Sequence, residues 1–217
     1  MISMDDRKQF LIHMYDQMFN DINTHILVVW QSVGVLVGAF AILALVEKQV
    51  VPIDIAATLI VLICAWLTAH LYDASYWYNR NLAIIVNIER QFLAQGDLAN
   101  IHYYFGVHRP NKMITHLRIQ FYLALGIAAI VLLSHALTRL GPSIICQPGD
   151  IEPLALLPYF TLVVSLAVVL FIRGHRNRSY AEFLKNSPGQ LIDASRIQYG
   201  EGHGFPRPRS EASESTE

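Results

Sequence analysis

The stretch IDIAATLIVLICAWLTAHLYDASYWYNRNLAIIVNIERQFL (Ile53–Leu93) contains neither glycine nor proline, the residues that most readily interrupt a helix. Its first half, Ile53–Tyr72, carries one carboxylate, Asp54, in the first turn and is otherwise predominantly apolar, over the roughly 20 residues needed to cross a bilayer core. Its second half places Tyr78, Leu82, Ile85, Ile88 and Phe92 at helical spacing, with Asn79, Arg80, Asn87, Glu89 and Arg90 beside them. That pattern is amphipathic. The stretch therefore predicts one long helix, membrane-spanning at first and then continuing about 30 Å further as an amphipathic extension.

Outward from this helix, three more apolar runs have spanning length. The predicted spans are 25–46, 53–72, 119–140 and 154–172, and a composition of 53% hydrophobic and 15% charged residues agrees with them. The runs lack the alternation of barrel strands, so helices are the only spanning form they fit. The fold class expected is an all-α integral membrane protein of four transmembrane helices, extended into a cytoplasmic helical bundle. The first span does not read as a cleaved signal, because a mixed polar segment precedes it and no small-residue cleavage site follows before Glu47.

Charge distribution assigns the topology. Lys and Arg number two in 1–24, five in 73–118 and seven in 173–217, against only Lys48 and Arg139 in the other two connections. The positive-inside rule places both termini and the central segment in the cytoplasm of a prokaryotic cell, with the protein in the inner membrane. The net charge of −1 gives no indication of nucleic-acid binding. The two cysteines, Cys64 and Cys146, fall in a span and in an outer loop, which disfavours an intrachain disulfide.

In chain order, residues 5–24 present Phe10, Leu11, Met14, Met18 and Ile22 as an apolar stripe and run without a breaker into the first span. Pro52 is positioned to open the second helix, and Asp54 to meet its N-terminal dipole. Gln95-Gly96-Asp97 predicts a stop followed by a short helix at 98–105, and Pro110 predicts the start of the third helix. The expected membrane domain covers 1–186. Residues 187–217, rich in Pro, Gly, Ser and charge, read as a largely disordered cytoplasmic tail.

Several residues stand out for function. Gly34 and Gly38 form a small-xxx-small motif one turn after Gln31; such motifs bring helix backbones together, within a chain or between copies. Leu36 and Leu43 of the same span read as lipid-facing. His70, Asp73 and His135 are ionisable groups at membrane depth, a default functional hypothesis. No carboxylate lies in the middle of any span, however, and Thr58, Thr68, Ser134, Thr161 and Ser165 are the sparse polar groups available to line a path. Tyr78, Leu82, Ile85, Ile88, Glu89, Arg90 and Phe92 are the expected contacts of the cytoplasmic bundle. His102, His108 and His116 match no zinc spacing, and no cofactor or metal is expected.

Arg109 and His116 in RPNKMITH are separated by six residues, which resembles the Arg-x(4–6)-His pattern of HEPN ribonucleases; the resemblance covers those two positions. It would imply a membrane-tethered ribonuclease using Arg109 and His116 as catalytic residues. Phosphate-binding glycine loops, nucleophile elbows and His-Glu-x-x-His pairs are absent from the sequence. The function expected is non-enzymatic: a homo-oligomeric inner-membrane protein that receives a cytoplasmic signal on 73–118 or the tail and responds at the bilayer, as a pore-forming or membrane-perturbing effector. In general build it resembles small helical membrane effectors of bacterial antiviral systems, an analogy of architecture only. A small transporter or channel is the alternative.

Overall fold

A computed structural model describes residues 4–92, 110–142 and 152–186. All regular structure in these residues is helical, with no strand among them, and four helices are long and apolar enough to cross a membrane. We label them α1 (Met4–Glu47), α2 (Ile53–Phe92), α3 (Thr115–His135) and α4 (Leu157–Lys185). A π-helical turn, Ala136–Leu140, continues α3, and a short 3₁₀ turn, Pro153–Leu156, leads into α4. The short helix expected at 98–105 and the tail from 187 onward lie outside the described residues.

α2 covers 40 residues without a glycine or proline, as the uninterrupted run of the sequence implies. α1 covers 44 residues, breaker-free up to Val33 and helical through Gly34 and Gly38 as well. The turn between them is a Schellman closure: Val50 N–H donates to Leu45 C=O (3.0 Å) and Gln49 N–H to Val46 C=O (2.9 Å). Such a closure requires a left-handed residue at its centre. Here that residue is Gln49, at φ 57°, although glycine is the usual occupant.

The chain divides into two compact units, and α1, α2 and α4 contribute residues to both. One unit comprises 25–76 and 113–178. Its core joins Val29, Leu36 and Ala39 of α1 to Ile60, Cys64, Leu67, Leu71 and Ala74 of α2 and Leu117, Ala124 and Ala128 of α3. Within α1 the buried positions Val29, Ser32, Leu36 and Ala39 recur every three or four residues, which is one helical face. Leu36 is therefore not lipid-facing, as the sequence had suggested: it is 3% exposed. Leu43, on the other hand, is exposed.

The other unit comprises 1–24, 77–112 and 179–217. In it Leu82, Ala83, Ile85, Val86 and Ile88 of α2 are buried, and so are Asn79 and Asn81. This part of α2 is buried on more than one face, so the amphipathic reading, which grouped Asn79 with the polar residues, is corrected. Asn79 donates to Asn111 Oδ1 (3.2 Å) and to Lys112 C=O (3.1 Å), and its own C=O accepts from the Tyr180 hydroxyl (3.4 Å). Those bonds hold 111–112 in non-helical backbone. Accordingly α3 begins at Thr115 after an extended Ile114, and Pro110 is not its first residue.

Candidate functional site

Among the described residues of the unit comprising 25–76 and 113–178, the carboxylate of Asp54 is held by two side chains at once. Its position in the first turn of α2 suits the helix dipole, but the residue is 2% exposed and its carboxylate accepts from two other residues. Arg139 donates to it in bidentate fashion, Nε to Oδ1 (3.1 Å) and Nη2 to Oδ2 (3.0 Å). His135, itself 1% exposed, places Nε2 2.9 Å from Oδ1. A carboxylate can only accept, so Nε2 carries a hydrogen, while Nδ1 lies 3.1 Å from the Tyr159 hydroxyl. The same hydroxyl lies 3.3 Å from Leu132 C=O. Glu152 completes the network as a second, exposed partner of Arg139.

The π turn belongs to this arrangement. One extra residue per turn shifts the register of the side chains that follow, and the turn at Ala136–Leu140 carries Arg139 immediately after His135. Together they meet Asp54, more than 80 positions away in the chain. α2, α3 and α4 are thereby joined at one end of the spans through Asp54, His135 and Tyr159. The sequence singled out His135 but assigned it no partner; Asp54, Arg139 and Tyr159 were missed as a group. Their signal was available in the expected topology, which places the start of span two and the end of span three on the same side of the bilayer.

His70 and Asp73, the other ionisable residues that the sequence places at membrane depth, have different partners. Asp73 pairs with Arg176 of α4, not with His70, one turn before it. Arg176 also lies over the Tyr76 ring, 4.8 Å from its centroid. His70 stacks on Trp66 at 5.7 Å, and its Nε2 is enclosed without a hydrogen-bond partner. Gln120, which the sequence reading overlooked, is 4% exposed with neither amide atom bonded. The hydroxyls of Ser32, Thr58 and Thr68 donate to backbone carbonyls four residues earlier, Val28, Asp54 and Cys64. They satisfy themselves on their own helices.

The α1 motif faces outward. Gly34 and Gly38 are exposed, and a side chain added at either would meet nothing within 4 Å. Gln31, on the same face, is exposed as well. Among the described residues, nothing packs against the motif.

Among the expected bundle contacts, Leu82, Ile85 and Ile88 are buried and Tyr78 is half-buried. Glu89 accepts from the Tyr15 hydroxyl of α1 at 3.2 Å. Both residues lie outside the predicted spans, and burial, as the largest cause, holds the Glu89 carboxyl above its ordinary range. Burial and the neighbouring Glu89 charge push the Tyr15 hydroxyl up to about 12. The side chains of Arg90 and Phe92 lie outside the described residues.

Of the two ribonuclease-pattern residues, Arg109 also lies outside them. His116 is half-buried at the start of α3, with Nε2 enclosed and unbonded. No group of three or more His, Cys, Asp or Glu suited to a metal occurs among the described residues. Compared with known proteins, the chain matches no family model, no curated protein and no solved structure.

Proposed function

We propose that this is a non-enzymatic, homo-oligomeric inner-membrane protein whose copies associate through α1, which receives a cytoplasmic signal on 73–118 or the tail and responds at the bilayer as a membrane-perturbing effector. The observation that carries the reading is the uncovered face of Gln31, Gly34 and Gly38. A small-xxx-small face within a span allows close backbone approach, and a polar amide beside it gains a hydrogen bond when a second helix displaces lipid. The hydroxyls of Ser32, Thr58 and Thr68 each donate to a carbonyl of their own helix, which weakens the transporter alternative by leaving fewer free donors for a polar path. The Asp54 network fits a scaffold that keeps α2 and α3 together while α1 associates.

Replacing both glycines with isoleucine separates the backbones without making the span less apolar. Gly34→Ile with Gly38→Ile is expected to reduce chemical crosslinking in membranes and depolarisation on overexpression together, whereas substitutions at exposed Phe40 and Leu43 leave both unchanged. Unchanged crosslinking and depolarisation in the glycine variant would sink the reading. The topology is tested separately by reporter fusions at Gly96 and Gly149. The first is expected to read cytoplasmic and the second external, and an external signal at Gly96 contradicts the four-span arrangement.

A further inference from the structure

A cleft of about 250 Å³ runs along the membrane unit between α2, α3 and α4. Small side chains open it: Ala65 on α2, Ala124 and Ala128 on α3 and Ser165 on α4 all line its walls. Its rim includes Leu125, Leu166 and Leu170, each exposed, so the cleft opens on the surface that four apolar spans present to lipid. Along its length it is almost entirely apolar. At one end this changes, where Tyr72 and Arg173 close the lining.

Arg173 is an exposed residue one position past the predicted fourth span. Its guanidinium lies 5.7 Å from the centroid of the Tyr72 ring and has no carboxylate partner among the described residues. The neighbouring Arg176 differs, being paired with Asp73. An apolar trough that ends in a cation with no carboxylate partner among the described residues, one position past the predicted span, is complementary to one kind of molecule. We propose that the cleft holds an acyl chain of an anionic glycerophospholipid, whose phosphate is bound by Arg173 in the leaflet on that side. Cationic sites at the ends of membrane helices attract such headgroups, and a guanidinium matches phosphate geometry with two parallel donors. The Tyr72 ring holds the guanidinium over the mouth of the cleft by a cation–π contact. Bulk bilayer would wet the same leucines, but it would not select a headgroup.

The test is native mass spectrometry of the full-length protein in detergent, titrated with phosphatidylglycerol or phosphatidylethanolamine of identical acyl chains and, in a separate arm, with glycerol phosphate. Retention of phosphatidylglycerol above phosphatidylethanolamine is expected, with no retention of glycerol phosphate. Arg173→Gln should weaken phosphatidylglycerol binding about fivefold and remove the headgroup preference, while Arg173→Lys keeps most of that preference. Ser165→Leu, which fills the apolar cleft without touching the cation, should lower binding of both lipids. Circular dichroism in the same detergent confirms that each variant retains its helices. Equal retention of the two lipids by the wild type, or an Arg173→Gln variant that discriminates as the wild type does, overturns the proposal. Binding of glycerol phosphate as tight as that of the lipid also overturns it, because the acyl cleft would then contribute nothing.

Discussion

Asp54 shows how one side chain can outweigh its place in the sequence pattern. A carboxylate in the first turn of a helix gains modestly from the dipole, whereas a buried carboxylate bonded by a guanidinium and an imidazole is costly to disturb. Without Asp54 the buried His135 Nε2 loses its acceptor, while Arg139 keeps Glu152. Asp54→Ala is therefore expected to destabilise the protein by about 2 kcal/mol in SDS-induced unfolding from mixed micelles. Glu152→Gln, which removes only the exposed partner of Arg139, should cost under about 1 kcal/mol. Equal effects would mean that Arg139 and His135 do not depend on Asp54. Gln120 poses the opposite case, since its amide is buried and unbonded and carries a desolvation cost of about 1–3 kcal/mol.

At the level of elements, the Tyr15–Glu89 bond ties α1 to α2 in a way that has a pH signature. Glu89 has its native pKa raised above the ordinary 4.5, so the folded protein binds more protons than the unfolded chain once pH exceeds that value. Stability is then fully present below about 4.5 and is lost as pH rises toward the elevated native value. Glu89→Gln keeps an acceptor for the Tyr15 hydroxyl but cannot ionise. Its unfolding midpoint should vary less across that window than that of the wild type, and an identical slope in the two proteins contradicts the assignment. The helices themselves were legible in the sequence because hydropathy and helix breakers act locally: α2 follows its uninterrupted run closely, and apolar composition carries α1 on past Gly34 and Gly38. The start of α3 was not, because it depends on Asn79, more than 30 residues earlier, bonding to 111 and 112. Likewise no local pattern reveals that Asn79 is buried, as that depends on what surrounds α2 from elsewhere in the chain.

For the whole molecule, the sequence exposed the motif at Gly34 and Gly38 but not its orientation, since small-xxx-small spacing is the same whether a helix packs within its chain or against another copy. Tertiary packing separates the two uses: Val29, Leu36 and Ala39 face the core and the glycines face out. On the proposed function, this outward face is where copies meet. The most direct measurement is disulfide crosslinking in native membranes of single-cysteine variants, Gly34→Cys, Gly38→Cys and Phe40→Cys, made after replacing Cys64 and Cys146. Oxidation is predicted to yield covalent dimers from Gly34→Cys and Gly38→Cys and little from Phe40→Cys, which points away from the glycine face. Dimers from Phe40→Cys alone, or none at either glycine position, would contradict the account.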